Sequence, residues 1–289
     1  MAEKPHILIL MTDQQRGDCL GCAGHPVLNT PNMDRIAAEG VRFERAITNS
    51  PICVPARANF ISGLYCHSTG VWSNAGSLPA DDETFFHHLQ QAGYHTGYVG
   101  KSHYYPHDSG DHLSNHEDYM HARGIDYVHE TTGPWASMRV GSYLTDFWGP
   151  DKWRAYADDY RRRSGTAWAT WPSPLSEEDF LDSYIGRSAA EFVDGYDGGK
   201  PVCLFVGFGG PHEPFDAPGR FATMYDPAAC PAPIPAEGLD GLNPAAAAYL
   251  GLRERYRPDG RGASAEQIAA ARAAGKKLSD RLKAFAQAT

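Results

Sequence analysis

The sequence predicts an α/β protein: a mixed, mostly parallel sheet flanked by helices. Two observations carry this. Three apolar runs, His6–Met11, Tyr94–Val99 and Pro201–Phe208, show no apolar-polar alternation and read as strands buried on both faces. Capped helical segments alternate with them. Each run also leads into polar residues: Asp13, then Lys101 and His103, then His212. Open α/β sheets bind their ligands outside the carboxyl ends of the strands.

The first strand ends in Thr12-Asp13-Gln14-Gln15-Arg16. Asp13 there is either a ligand or an ordinary turn or N-cap aspartate. Asn29–Gly40 is a capped helix: Asn29 or Thr30 caps it, Pro31 opens it and Gly40 closes it. Val41–Ile47 reads as a short strand. Ser50–Gly63 reads as a loop entering a helix from about Pro55 to Ile61, because proline suits the first helical turn. Cys53 sits just ahead of that helix, where free N–H groups and the macrodipole favour negative charge. Arg57, one turn on, can face the same point. Taken alone, Cys53 is more commonly a buried structural cysteine.

A second helix falls within Pro79–Gly93, and the strand Tyr94–Val99 follows. In an extended chain Lys101 and His103 share a face. On this segment alone, a surface lysine and an unrelated histidine is the simpler reading. Residues 104–171 look irregular and aromatic, as either a lid or substrate-specificity segment or plain loop packing. Arg161-Arg162-Arg163 reads as a solvated helix face. Glu177–Phe192 has helical apolar spacing. The third strand leads into Gly209-Gly210-Pro211-His212-Glu213-Pro214-Phe215, which holds His212 in a rigid turn, or packs it on Phe215. The remainder is rich in proline and alanine, and Ala263–Ala288 reads as an amphipathic helix.

Composition narrows the function. A net charge of −9 argues against a nucleic-acid partner but leaves room for a small anion held by local cations. Nine histidines between His87 and His129 raise the prospect of a polar site. Six cysteines do not have the spacing of a disulfide scaffold, and Cys19-Leu20-Gly21-Cys22 has no second pair to make a zinc site. Ile7–Met11 is too short for a signal peptide or a membrane span, so a cytoplasmic protein with no membrane contact is expected. An incomplete sheet edge would invite oligomer formation.

Together, an acidic residue, a cysteine at a helix start, two cations and two histidines suit attack on a tetrahedral oxyanion ester. At this point the chain resembles the type I sulfatases of the alkaline phosphatase superfamily. Cys53-Val54-Pro55-Ala56-Arg57 with Ser62-Gly63 resembles their C-x-P-[S/A]-R signature; Gly100-Lys101-Ser102-His103 resembles G-K-x-H, and Pro211–Phe215 resembles P-H-x-P-F. The resemblance implies an alkaline-phosphatase-like fold and a sulfuric ester hydrolase. It implies that Cys53 is converted to formylglycine by a maturation enzyme and acts as nucleophile on a small sulfate-ester substrate. It further implies that Asp13, Gln14 and modified Cys53 bind a divalent cation, Ca2+ or Mg2+. Arg57 and His103 would hold the formylglycine hydroxyl, and Lys101 and His212 the sulfate. Two departures accompany the match. Gln14 stands where many members have a second aspartate, and no S-D-H-G-type motif follows on the C-terminal side. The implied organisation is a catalytic-type domain over residues 1–260, with 104–171 as a possible lid, and a divergent helical tail over 261–289. The alternatives are a phosphate or phosphonate ester hydrolase of the same superfamily, or a silent, truncated anion-binding domain.

Overall fold

All three apolar runs become strands of one parallel sheet, and a fourth strand joins them. The computed structural model describes residues 4–79, 81–163 and 170–232. β1 (Ile7–Met11), β2 (His95–Lys101), β3 (Tyr127–Thr131) and β4 (Val202–Gly207) lie in the order β1-β4-β2-β3. Every pairing is parallel: Ile9 and Tyr98 flank Phe205, and Val99 lies beside His129. Parallel neighbours need crossover connections, which here carry the helices. These are α1 (Pro31–Glu39), α2 (Cys53–Ser62), α3 (Cys66–Thr69), α4 (Phe85–Gln91), α5 (Glu117–His121), α6 (Tyr143–Arg163) and α7 (Leu181–Gly195).

The period-2 geometry of β4 divides the core. Cys203 and Phe205 face one cluster, with Tyr98, Val54, Ala58 and Ile61 of α2 and Phe86 of α4. Val202, Leu204 and Val206 face the other, with Val99, Leu144 and Tyr160 of α6 and Ile185 of α7. Phe205 stacks on Tyr98 with ring centroids 4.8 Å apart. Both faces of β4 are thus dry, as its unbroken apolar run requires. β1 differs. Leu8 and Leu10 are 57% and 52% exposed, and among the described residues no strand pairs with its outer edge.

Three expectations are corrected. Val41–Ile47 is not a strand: Val41, Phe43 and Ile47 are exposed, and without a neighbour to pair with, β-branched composition alone does not make a strand. Within 104–171, the described residues are not irregular. They contain α5, β3 and α6, whose two segments meet at Gly149-Pro150, with Gly149 at φ 67°. β3 was missed because His129 and Glu130 interrupt its apolar pattern. Glu130 is nevertheless buried, accepting hydrogen bonds from the Tyr105 hydroxyl at 2.7 Å and from Ser102. Arg163 does not share a solvated face with Arg161 and Arg162. It is fully buried, bonded to Asp159 at 2.5 Å and to the Pro172 carbonyl at 2.9 Å.

Asp216 lies on the same side of the molecule as Arg163. It is 4% exposed, and its Oδ2 has no hydrogen-bond partner. Burial pushes its carboxyl up to about 6, with Arg163 pulling the other way. An unfolded aspartate titrates near ~3.9, so the native state prefers the protonated form. The stability this group permits is complete below about pH 4 and is lost as pH rises through about 6. A gap of about two units corresponds to roughly 2–3 kcal/mol. Asp216→Asn is therefore expected to raise the urea midpoint at neutral pH and leave it nearly unchanged in acid; melts at the two pH values test this.

The chain divides into two units, Met1–Pro231 and Ala232–Thr289. The expected boundary at residue 260 and the tail over 261–289 lie outside the described residues.

Candidate active site

The chain just past the carboxyl ends of β2 and β4 and the amino end of α2 meet at one cavity, and Asp13, just past β1, pairs with Lys101 and Arg57 beside it. Two glycines permit the closest approach. A Cβ on Gly100, at φ 97°, would lie 2.2 Å from the Gly207 carbonyl, and one on Gly207 would lie 2.3 Å from the Lys101 carbonyl. With neither side chain present, β2 and β4 stay paired to their ends. Lys101 then emerges buried at 3% exposure.

Asp13, just past β1, accepts a close ion pair from Lys101 Nζ. Arg57, one turn into α2, donates Nη2 to the same Asp13 Oδ2 at 3.3 Å and Nη1 to the Lys101 carbonyl at 2.7 Å. Burial raises the Asp13 carboxyl, but Lys101 and Arg57 outweigh it and hold Asp13 below the usual aspartate range. Two buried cations thus bracket one buried carboxylate.

Cys53 is the first residue of α2, which begins two positions earlier than the expected start at about Pro55. The helix N-cap, Ile52, offers no side-chain cap; instead the Val54 N–H is taken by Asn74 Oδ1 at 3.0 Å. The Cys53 thiol contacts His212. That hydrogen bond, and then the charge of Lys101, lower its pKa against the effect of burial. Burial would lower the His212 pKa, but the bond to Cys53 and the contact with the Glu213 carbonyl raise it overall. His212 Nδ1 lies 2.9 Å from that carbonyl, leaving Nε2 for the cavity. The turn carrying it begins with a cis Gly210–Pro211 bond.

His103 has a φ of 49°, a conformation uncommon outside glycine. Burial, then His107 and Lys101, push its imidazole down to about 2, so it is neutral at any ordinary pH. Cys53, Lys101, His103 and His212 line one cavity of about 530 Å³, with Asn74, His107, Trp135, Arg139 and Glu213. No short motif in the sequence marks His107, Asn74 or Arg139 as site residues. Only the histidine-rich stretch, which includes His107, hinted at any of them.

Five of the six expected residues other than Cys53 therefore gather around it: Asp13, Arg57, Lys101, His103 and His212. Gln14 does not. It is exposed, sits at φ 63°, and lines a different cavity with Pro211 and Phe215. This bears on the divalent cation. Asp13 Oδ2 is already taken by two cations, and among the described residues no group of three His, Cys, Asp or Glu side chains forms a metal cluster. The described residues do not fit a complete cation shell.

The sequence model of the Sulfatase family matches residues 5–250. An arylsulfatase of Clostridium perfringens (strain 13 / Type A) is 30% identical over 247 residues, covering 80% of this chain and 48% of its own length. The N-acetylglucosamine-6-O-sulfatase of Bacteroides thetaiotaomicron is 27% identical, covering 80% of this chain and 35% of its own. Among solved structures, the phosphonate monoester hydrolase of Silicibacter pomeroyi superimposes with a TM-score of 0.59 at 22% identity, over 81% of this chain and 47% of that one. That likeness shows the fold. The chain spans less than half the length of each of these relatives. The family typically works through formylglycine and a divalent cation. A family match over most of the chain, on a fold and a motif order that agree with it, makes this protein a member of the type I sulfatases of the alkaline phosphatase superfamily.

Proposed function

We propose that this chain carries the nucleophile half of a sulfatase site and acts on sulfate esters through Cys53 after its conversion to formylglycine. The observation that supports this most is the placement of Cys53: first residue of α2, in contact with His212, beside the buried Lys101. Formylglycine, when formed, supplies a hydrated oxygen nucleophile in place of the thiol. The chain's own groups do the rest. Lys101 and the amino end of α2 favour the sulfuryl oxygens. His212, with its raised pKa, holds a proton near the leaving oxygen. Neutral His103 is an acceptor for a hydroxyl at position 53. Arg57 fixes the Lys101 backbone and Asp13 rather than facing the cavity directly.

A second reading, a silent anion-binding domain, is favoured by one observation: the Asp13 oxygen is occupied by Lys101 and Arg57. A Ca2+ or Mg2+ site on this reading of the fold would need ligands beyond the described residues.

One set of measurements separates the possibilities. The chain, coexpressed with a formylglycine-forming maturation enzyme, is assayed on 4-nitrophenyl sulfate and 4-nitrophenyl phosphate with and without Ca2+ or Mg2+. Sulfate-ester turnover above phosphate-ester turnover is expected. The reverse preference favours the phosphate or phosphonate alternative. Inorganic sulfate binding without turnover of either ester favours the silent domain.

A further inference from the structure

Asp182 is the second residue of α7, and an aspartate in a first helical turn ordinarily serves its own helix. Here it does not. The helix N-cap is Phe180, with no side-chain cap bond. The Asp182 carboxylate reaches across to the turn after β4 instead. Its Oδ1 accepts from the Gly209 N–H at 2.8 Å and the Gly210 N–H at 3.1 Å, and Oδ2 accepts from Gly210 at 3.1 Å. The turn is shaped to this contact. A Cβ on Gly210 would lie 2.3 Å from Asp182 Oδ2, and one on Gly209 would lie 2.0 Å from Leu181 Cδ2. The chain can approach α7 this closely only because both residues lack a side chain.

The same turn holds two site residues. The Gly210 carbonyl accepts from the Asp13 N–H at 2.9 Å, and Phe208 N–H bonds the Met11 carbonyl at 2.8 Å. Pro211 and then His212 follow directly. We infer that Asp182 is a positioning residue: its carboxylate fixes the Gly209-Gly210 turn and, through that turn, the backbones of both His212 and Asp13. The assignment rests on the sulfate-ester reading of the site. Without its acceptor, the turn presents two N–H groups with no partner and is free to move His212 relative to Cys53. A displacement of about 1 Å at a reacting group can cost about 10²-fold in rate.

Two variants test this, assayed at a temperature where circular dichroism shows both folded. Asp182→Ala removes the acceptor. Asp182→Asn keeps an oxygen in place and drops the charge. Inorganic sulfate affinity is measured by calorimetry, and kcat and KM with 4-nitrophenyl sulfate. For Asp182→Ala, sulfate binding about tenfold weaker and kcat at least about tenfold lower are expected, whereas Asp182→Asn stays within about threefold of the parent chain. An Asp182→Ala protein that is less heat-stable but binds and turns over like the parent would overturn the assignment and leave a purely structural role. Asparagine as damaging as alanine would also overturn it. A parent chain that binds neither sulfate nor the ester is a different failure: it removes the sulfate-ester reading, and this assignment falls with it.

Discussion

Cys53→Ala is expected to abolish sulfate-ester hydrolysis, by roughly 10³-fold or more, because it removes the group from which the proposed formylglycine nucleophile would be made. The fold should survive. Cys53 is only partly buried and is not a member of either hydrophobic cluster. A partly buried thiol truncated to a methyl group costs about 1 kcal/mol or less. The variant therefore isolates chemistry from stability. Peptide mass spectrometry on the parent chain supplies the companion test. Maturation replaces CH2–SH by CHO, so the peptide spanning position 53 loses one sulfur and two hydrogens and gains one oxygen. The conversion is a two-electron oxidation: water supplies the aldehyde oxygen, sulfide leaves, and the two electrons and two protons released pass to an oxidant brought by the maturation enzyme. Full activity in Cys53→Ala, or activity in a chain whose Cys53 peptide keeps its sulfur, would defeat the formylglycine mechanism.

Lys101→Met is expected to damage both stability and anion binding. Lys101 and Asp13 form a pair whose side chains are 4% and 8% exposed. Removing one member of a buried pair strands the other and typically costs about 3–5 kcal/mol. Arg57 keeps its 3.3 Å contact to Asp13, so the loss should fall toward the lower end of that range. The double variant Lys101→Met/Asp13→Asn should be less destabilised than the sum of its single variants, because neither charge is then left alone. Urea unfolding of the four proteins completes the cycle. Strict additivity would contradict the pairing. Inorganic sulfate affinity should fall in both variants lacking Lys101, since methionine offers no charge to the anion.

The pattern of success and failure in the sequence reading has a physical origin. β4 was legible because a strand buried on both faces must be apolar throughout, and Val202–Val206 is. Val41–Ile47 has β-branched and aromatic residues too, yet forms no strand, because a strand exists only with a neighbour to bond. β3 escaped notice because Glu130 and His129 break its pattern. Their partners, Tyr105 and Ser102 for Glu130 and Tyr184 for His129, come from elsewhere in the chain. Arg163 was misread for the same reason: charge suggests solvent until Asp159 and the Pro172 carbonyl are placed around it.

The site divides along the same line. The sequence alone singled out the residues proposed to carry the chemistry, because Cys53, Arg57, Lys101, His103 and His212 sit in short motifs whose local spacing is itself constrained by a helix start or a strand end. It also placed Asp13 at the end of β1. What only the tertiary structure decided is how those groups meet. Asp13 is locked between Lys101 and Arg57, Gln14 turns toward another cavity, and Asp182 reaches over from α7 to hold the His212 turn. Those contacts join residues dozens of positions apart. Local spacing carries no record of which distant backbone amide a carboxylate will find; strand order and helix packing set that.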